Sequence, residues 1–416
     1  MDFKGILTAS IKYKITTGIL LLVVSTILIV SFAPDLHPKK APDHFQPYVE
    51  YLDKVFTLMD KNYYMPVTRY TYDNFLKSYE EKVLSQLKGD TYVPYVAWRG
   101  AHLLVQALRD PKDNFTHFIP PKPAKEYEEE IYGYRSDIGL TGSLTEEGYL
   151  LDMVEKRSDS FIQGLRPGDI LLSINGTLTT SLTIDQIKDL LNPEIDTTIL
   201  LNVKTLDGTV KDLTIKSIQY FKETVMNIPT GEEGVFCLQI PKFNRETSND
   251  LDDQLKRILS QKIKLLILDI RGNPGGPPLA VREMASRFLP PNSKLVYYKK
   301  RENPVFGLTS PTSPLYYPGP LMVMIDKKSG SSSELFSGIL KEYKRALIVG
   351  KEPTAGMAFL KGTEKFDDGS MLIMITGQCF LFNGKELDTA GVTPNLVIPA
   401  QVDDQVNFVV KKMTAS

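Results

Sequence analysis

Between Phe45 and about Ala107 the hydrophobic positions follow a helical period. In VEYLDKVFTLMDKNYY and VAWRGAHLLVQAL the apolar residues recur at spacings of three and four. This spacing predicts amphipathic helices, and we expect residues 45–130 to form a helical packing unit. The acidic run from Tyr127 to Glu130 is expected to be a solvated face of one helix.

The pattern changes at about Tyr132 to short alternating segments. IGLTGSL, EGYLLDMV, DILLSING, TTILLNVKT and TVKDLTIKSI predict strands that are separated by turns. SLTIDQIKDLL, Ser181 to Leu191, predicts one helix with Ser181 as its cap. Residues 131–219 are therefore expected to form a small β domain.

From about residue 220 to residue 400, predicted strands and helices alternate. The strands are GVFCLQIPKF, KLLILDI, GPLMVMID and RALIVG, and the helices between them include LDDQLKRILSQKI and PPLAVREMASRFL. This order predicts an α/β core whose sheet is mainly parallel, with crossover helices. Ligand sites in such sheets lie at the carboxyl ends of the strands, where Asn273–Gly276 and Ser329–Glu334 fall. Residues 401–416 are expected to be a C-terminal tail.

An uncharged segment precedes these regions. Ile15–Ala33 has no charged residue and is long enough to cross a bilayer as one helix. Lysines before it favour an inside location for residues 1–14, so the body is expected on the extracytoplasmic side. A cleaved signal peptide is the alternative, although Pro34 would follow the cut. Residues 34–44 are expected to be a linker.

Composition narrows the classes of partner. The chain of 416 residues has 49 basic and 50 acidic residues, so nothing favours nucleic acid as a partner. Its length predicts more than one domain. Four histidines and two cysteines show no metal-ligand spacing, and we expect no metal and no cofactor. For Cys237 and Cys379, a disulfide and two buried thiols both remain open.

The stretch SGSSSE, Ser329 to Glu334, has two interpretations. Ser331 lies at a strand-to-helix junction, where free N–H groups and a partial positive charge can stabilise an oxyanion. Gly275 and Gly276 on a neighbouring strand end leave their N–H groups unhindered. Serine followed by glutamate at a helix start is, however, also an ordinary capping box. The spacing alone does not choose between a nucleophile and a cap.

The β region resembles a PDZ domain. The resemblance is carried by Ile138-Gly139-Leu140 and by SFIQGLRPGDILLSING, Ser160 to Gly176. It implies that a peptide adds as a strand to the sheet edge. It also implies that backbone amides around Ile138, Gly139, Leu140 and Gly142 bind the terminal carboxylate of that peptide. A small β domain without a ligand is the alternative.

From about Phe45 to Pro399 the chain resembles the C-terminal processing (tail-specific) serine peptidase family. The matching motifs, in order, are LDIRGNPGG, SGSSSE, RA, VG, DDGSMLIMITG and GVTPNLVI. The resemblance implies an α/β peptidase core of the ClpP/crotonase-like kind, with an inserted PDZ domain and a helical N-terminal region. It implies Ser331 as the nucleophile, Ser332 with Gly275 or Gly276 as the oxyanion amides, and Glu334 as an ordering neighbour.

The sequence departs from the family at the general base. The family places a lysine in a T-x-G-K-G turn, whereas this chain has Thr354-Ala355-Gly356-Met357. In one alternative the base is Lys361, four residues later and on the same face of a strand as Met357. His117, near the place of the histidine in the tricorn-like branch, is a second alternative. Other lysines, Lys351 and Lys328, are a third, and loss of catalysis is a fourth.

These features together predict one function and one alternative. The chain is expected to be a membrane-anchored extracytoplasmic serine endopeptidase of the C-terminal processing type. Its partners would be the C-termini of protein or peptide substrates, and the membrane through Ile15–Ala33. The alternative is a catalytically inactive relative that binds peptides through its PDZ domain or acts as a scaffold.

Overall fold

A computed structural model describes residues 45–84, 93–301, 306–387 and 390–414. The predicted membrane or signal segment, Ile15–Ala33, and the linker 34–44 lie outside these residues. Among the helices of the described ranges, none has both the length and the apolar character needed to cross a bilayer.

The N-terminal region contains the predicted helices and one short strand. Its elements are α1 (Gln46–Asn62), α2 (Arg69–Leu84), α3 (Pro94–Leu108), β1 (His117–Ile119) and α4 (Pro121–Tyr132). On α1 the buried residues Tyr48, Leu52, Val55, Phe56 and Met59 recur at spacings of three and four, or directly adjacent, and form one packed face. The helical prediction for this part is confirmed, whereas β1 was not predicted.

The β region forms a sheet with one longer helix. Its elements are β2 (Tyr134–Asp137), β3 (Leu140–Leu144), β4 (Tyr149–Val154), α5 (Asp159–Ile162), β5 (Ile170–Ile174), β6 (Thr177–Leu178), α6 (Ile184–Leu190), β7 (Thr198–Lys204), β8 (Val210–Lys216) and β9 (Ile218–Phe221). The sheet order is β3-β4-β5-β7-β8, with β6 on β5, while β2 pairs with β9. Strand β3 is thus an edge of this sheet.

The cap of α6 differs from the prediction. Thr183, not Ser181, precedes the helix, and its Oγ1 accepts the N–H of Gln186 at 3.3 Å. The Gln186 side chain accepts the N–H of Thr183 at 2.9 Å, which completes a capping box. Ser181 instead ends a 3-10 turn and donates its hydroxyl to the Leu178 carbonyl at 2.7 Å. The predicted cap was two residues early because both positions carry a hydroxyl.

The remaining elements build the core. In chain order they are β10 (Met226–Ile228), β11 (Val235–Gln239), α7 (Thr247–Leu259), β12 (Leu265–Asp269), α8 (Pro278–Ala285), β13 (Lys294–Lys300), β14 (Phe306–Thr309), β15 (Leu321–Ile325), α9 (Ser332–Glu342), β16 (Leu347–Gly350), β17 (Phe359–Lys365), β18 (Met371–Leu381), β19 (Leu396–Val397) and α10 (Gln405–Thr414).

The main sheet of the core is mainly parallel, as predicted. Its order is β10-β11-β12-β15-β16-β19, and each pair from β11 to β19 is parallel. Strand β10 runs antiparallel to β11 at the edge. Strands β12 and β15 are neighbours, with Asp269 opposite Met324, so the segments that follow them meet at one end of the sheet. This end carries the candidate site.

A second core sheet is antiparallel, and the sequence did not predict it. Strand β18 is its centre and pairs with β1, β13 and β17, while β14 lies beyond β13. Through β1, the N-terminal region contributes a strand to this sheet, so that region is not purely helical. Phe118 of β1 is buried between half-buried neighbours, a pattern too short to predict a strand.

The predicted tail contains helix α10. Val409 and Val410 of this helix are buried in a cluster that also contains Cys237 of β11. Cys379 lies in β18, and both cysteines are buried free thiols. Burial raises the pKa of each thiol to about 12. Of the two alternatives for the cysteines, the structure has the buried thiols.

Candidate active site

Ser331 has an unusual backbone conformation. It immediately precedes α9 and has φ 53° and ψ −117°, a region that side chains other than glycine rarely adopt. Such a conformation costs on the order of 1–3 kcal/mol and persists only where the surroundings enforce it. Strained residues of this kind cluster at functional sites. The strain therefore marks Ser331 as more than a helix cap.

The carboxylate of Glu334 holds Ser331 in place. It is fully buried in the first turn of α9, and one of its oxygens accepts the N–H of Ser331 at 2.9 Å. The same oxygen accepts the N–H of Met357 at 2.8 Å. The other oxygen accepts the hydroxyl of Thr354 at 2.7 Å and the N–H of Gly356 at 2.6 Å. Glu334 therefore fixes the turn before α9 against the segment that follows β16.

Three hydroxyls of the serine run are used in main-chain hydrogen bonds. Ser329 donates to the Ile270 carbonyl at 2.9 Å. Ser332 donates to the Gly276 carbonyl at 2.6 Å, and Ser333 donates to the Asn273 carbonyl at 2.9 Å. Ser331 forms a capping box with Glu334 at the start of α9, and its hydroxyl donates no hydrogen bond among the described residues. Its hydroxyl is thus the best placed of the run to meet a ligand.

The glycine turn after β12 packs tightly against Ser331. A Cβ on Gly275, where φ is +107°, would lie 2.8 Å from the Ser331 Cβ and 2.9 Å from the Ser332 nitrogen. A Cβ on Gly276, where φ is +153°, would lie 2.0 Å from the Phe243 carbonyl oxygen. Only glycine fits either position. The turn thereby brings main-chain groups next to the candidate nucleophile.

The structure distinguishes the two glycine amides. The N–H of Gly275 donates to Oδ1 of Asn273 at 2.8 Å and is therefore occupied. Asn273 is fully buried, and its own carbonyl accepts the N–H of Gly330 at 3.0 Å. Within the described ranges, the N–H groups of Gly276 and Ser332 have no hydrogen-bond partner. Gly276 and Ser332, rather than Gly275, thus offer free donors for an oxyanion.

Met357 lies beside the candidate nucleophile. Its terminal methyl group lies 3.3 Å from the place that a Cβ on Gly330 would take. Gly330 is the neighbour of Ser331, so the thioether faces the serine turn. A thioether is a weak hydrogen-bond acceptor and no general base. The side chain at position 357 therefore cannot accept the proton of the Ser331 hydroxyl.

The prediction that Met357 and Lys361 share one face assumed a regular strand. Met357 lies before β17, and the pairing of β17 with β18 is irregular between Leu360 and Lys361, so simple alternation does not apply. The Lys361 ammonium lies 4.8 Å from the centroid of the Phe115 ring. The residue as a whole is exposed. Burial of the ammonium group lowers the pKa of Lys361, and the charge of Asp113 opposes this change.

The other predicted bases lie in different surroundings. His117 of β1 is half-buried, with Nδ1 at 2.6 Å from the Phe115 carbonyl oxygen. Burial lowers its pKa, and the charge of Lys361 lowers it further. Lys351 donates its ammonium to the Ala400 carbonyl at 2.8 Å, and Lys328 is exposed. Among the described residues, no hydrogen bond joins any of these side chains to Ser331.

One of the donors predicted beside β3 is occupied. The N–H of Gly139 donates to Oδ1 of Asp137 at 2.7 Å, and its carbonyl accepts the N–H of Glu155 at 2.9 Å. The same Asp137 oxygen accepts the hydroxyl of Tyr220 at 2.6 Å. We therefore correct the prediction for Gly139, because its amide is not free for a carboxylate.

The other residues predicted to bind peptide shape β3. Ile138 and Leu140 are buried in the core of the β region beneath this strand. A Cβ on Gly142 would lie 2.0 Å from the Leu150 carbonyl oxygen, so β3 and β4 approach closely there. The side chains of Ile138 and Leu140 thus belong to the packed interior of the β region, and Gly142 allows β4 to approach β3 closely.

Sequence reasoning missed the roles of Asn273 and Asp137. Each side chain accepts the N–H of a glycine two residues later. An Asn or Asp two residues before a glycine is a turn signal and was available in the sequence. Applied to both turns, it would have separated Gly276 from Gly275 and removed Gly139 as a donor.

The strained Ser331 at a strand-to-helix junction and the free amides of Gly276 and Ser332 are features that a serine-peptidase site requires. Residues 234–398, which contain this site, match the family model Peptidase family S41. The match covers the core from β11 to β19.

Curated relatives agree with this match. A probable CtpA-like serine protease of Staphylococcus saprophyticus is 24% identical over 314 residues, which are 75% of this chain and 62% of the relative. A probable CtpA-like serine protease of Staphylococcus aureus is 24% identical over 313 residues, which are 74% of this chain and 60% of the relative. The match thus spans about three fifths of the length of these relatives.

Solved structures show the same fold. The tricorn protease superposes with a TM-score of 0.55 at 15% identity over 89% of this chain and 37% of that chain. A lipoprotein from Streptococcus agalactiae superposes with a TM-score of 0.51 at 12% identity over 92% of this chain and 99% of that chain.

Proposed function

We propose that this chain is a serine-type peptidase that cleaves peptide bonds through Ser331. The observation that carries the proposal is the strained Ser331 next to the free amides of Gly276 and Ser332. Strain at this residue has no use in a plain helix cap, for which glycine would be easier. A developing oxyanion requires main-chain donors of this kind that are free of other partners.

The proposed reaction is acyl transfer to water. Ser331 Oγ attacks the carbonyl carbon of a peptide bond, and the carbonyl oxygen becomes an oxyanion that Gly276 and Ser332 hold through N–H donors. The C–N bond then breaks, and the amine leaves with the proton that the base took from Ser331. Water attacks the resulting ester and returns the hydroxyl to Ser331. Glu334 and Asn273 position the two turns throughout.

Lys361 is the base that we propose. Its lowered pKa makes the neutral amine more abundant, as a base for a serine hydroxyl requires. To act, its ammonium must leave the ring of Phe115 and turn towards Ser331. His117 is the alternative, because burial likewise favours its neutral form.

Substrate binding is proposed at the edge of the β region. Strand β3 pairs with β4 and is an edge of its sheet, and α6 lies beside it. A peptide added to this edge would gain main-chain hydrogen bonds, as in a PDZ domain. We propose that the enzyme acts near substrate C-termini on the extracytoplasmic side, held at the membrane by Ile15–Ala33.

A peptidase assay tests the catalytic proposal. Purified protein is given a pool of unstructured peptides, and cleavage is followed by mass spectrometry. Cleavage that disappears in Ser331→Ala supports the proposal. Lys361→Ala and His117→Ala then identify the base. Lys365→Ala is the matched control because Lys365 lies on the same strand and pairs with Glu128 at 2.8 Å. Full rates in both Lys361→Ala and His117→Ala would exclude both bases.

A second candidate function rests on Met357. With a thioether in place of a base, the same cleft would bind peptides without cleaving them, and the protein would act as a peptide-binding or scaffold protein. Peptide binding with no turnover, equal in the original protein and in Ser331→Ala, would favour this candidate.

A further inference from the structure

A cleft of about 480 Å³ lies on the core, away from the serine turn. Helix α7 forms one wall and the edge strand β10 forms the other. Val225, Phe236 and Ile258 supply apolar lining. Lys156 from the β region lies at its mouth, so both parts of the molecule contribute to it. The volume lies within the usual range of ligand sites.

The side-chain amide of Gln254 opens into this cleft and has no hydrogen-bond partner within the described ranges. Gln254 of α7 is only 8% exposed and lines the cleft. A glutamine side chain offers two donors and one acceptor oxygen. The side chain of Gln254 is therefore placed to pair with a ligand that carries both a donor and an acceptor, such as a peptide group.

Strand β10 offers a second set of peptide-binding groups. In the described part of the chain, β10 pairs with β11 alone, so its outer edge has main-chain groups available. Met226 and Asn227 on this strand are exposed and line the cleft. The strand has neither the proline nor the lysine that commonly protects an edge from a further strand.

The charges around the cleft favour an acidic ligand. Arg257, one turn along α7 from Gln254, is exposed and has no ion pair within the ranges described. Lys156 is already paired with Glu223 at the opposite side. The lining thus carries one cation in excess.

We propose that the groove between β10 and α7 is a second peptide-binding site, which takes an extended acidic segment as an added strand. The main chain of the segment pairs with the free edge of β10, and one of its peptide groups pairs with the amide of Gln254. A glutamate or aspartate side chain of the segment pairs with Arg257. A segment bound there also touches Lys156 and so contacts the β region and the core together.

The test measures peptide binding to the full chain carrying Ser331→Ala, so that cleavage does not interfere. The probe is the labelled peptide acetyl-Thr-Val-Glu-Val-Thr-amide, whose β-branched residues favour a strand. Two matched peptides replace the central glutamate by lysine or the following valine by proline. Fluorescence anisotropy gives the three dissociation constants.

The glutamate peptide is expected to bind at least about tenfold more tightly than either matched peptide, because one reverses the charge and the other removes a main-chain donor. Arg257→Gln is expected to weaken binding by about fivefold and Gln254→Leu by about tenfold. Lys256→Gln is the control, since Lys256 is the neighbouring cation and pairs with Asp253. It is expected to leave the affinity unchanged.

Several results would overturn the proposal. They are equal binding of the glutamate and lysine peptides, no binding of any of the three, and unchanged affinity in Arg257→Gln. Arg257 is exposed, so its replacement is tolerated by the fold even if Gln254→Leu is not. If Lys256→Gln lost as much affinity as Arg257→Gln, the effect would reflect the overall charge of the surface rather than a specific contact, and this result would also refute the site.

Discussion

Replacing Ser331 with glycine is expected to stabilise the fold while removing the proposed nucleophile. At φ 53° and ψ −117°, Ser331 has the conformation of the first central residue of a type II′ turn, where glycine is preferred. Serine remains there because Glu334 and the turn of Gly275 hold its main chain on both sides. Glycine would adopt the same backbone without the clash of a Cβ atom.

The magnitude follows from two opposing contributions. Relief of the strained backbone contributes about 1–3 kcal/mol. The extra freedom of glycine in the unfolded chain costs about 0.5–1 kcal/mol. Relative to Ser331→Ala, which also lacks the hydroxyl but keeps the Cβ atom, Ser331→Gly should thus be more stable by about 0.5–2 kcal/mol. For a core of this size, each kcal/mol raises the melting temperature by about 2–4 °C.

Differential scanning calorimetry of the two variants measures this difference. Lys344→Gly is the positive control, because Lys344 is exposed after α9 and also has φ 53°. It should become more stable without any change at the site. If Ser331→Gly melts at or below the temperature of Ser331→Ala while Lys344→Gly is stabilised, then Ser331 is not strained, and the argument for a functional serine fails with it.

Four further predictions concern separate parts of the molecule. In Met357→Lys the new side chain is unbranched, is one atom longer than that of methionine and ends beside the serine turn. The substitution should raise kcat/KM for peptide cleavage by up to about 10²–10⁴-fold, and Ser331→Ala in the same protein should abolish the gain. In Glu334→Gln one of the two oxygens that accept the four hydrogen bonds becomes an NH₂ group, so the melting temperature and the turnover should both fall. A melting temperature equal to that of the original protein would refute the role of Glu334 as an anchor. If Lys361 is the base, the rate should rise with pH as its ammonium loses a proton and reach half its maximum below the pH of an ordinary lysine; a profile that is unchanged in Lys361→Ala contradicts this assignment. Asp137→Ala frees the N–H of Gly139, and should shift binding towards peptides with a free carboxylate over their amides by about tenfold, a ratio that isothermal titration would show.

The parallel core could be predicted from the sequence because its strands are continuous apolar runs between amphipathic helices. KLLILDI and GPLMVMID needed no distant information to be recognised as buried strands. The antiparallel sheet could not be predicted in the same way. Its strand β1 has three residues and pairs with β18 more than 250 positions away, with His117 opposite Ile373. Pairing over such a distance depends on tertiary packing and leaves no periodic pattern in so short a segment.

The candidate site, like the fold, could be predicted only in part. The position of Ser331 and of the glycine turn at the ends of β15 and β12 follows from the strand order, which the sequence predicts. The strand order does not predict that Gly276 rather than Gly275 has the free amide, because this depends on the hydrogen bond between the Asn273 side chain and the N–H of Gly275. The direction of Lys361 depends on an irregularity in β17, and the alternation rule has no means of anticipating it.

The site thus has two halves that are built independently. The half that stabilises charge consists of main-chain amides fixed by Asn273 and Glu334, and neither residue depends on the side chain at position 357. The half that moves the proton requires a general base, and the thioether of Met357 cannot act as one. Loss of one oxyanion donor typically costs about 10²–10³ in rate, whereas general-base catalysis contributes about 10²–10⁴. The original protein should therefore retain slow turnover above that of Ser331→Ala even if no base acts. The ratio of kcat/KM between Met357→Lys and the original protein then measures how much general-base catalysis the original protein lacks. A ratio near one would mean that another residue already serves, and a large ratio would mean that the cleft kept its oxyanion site after its base was lost.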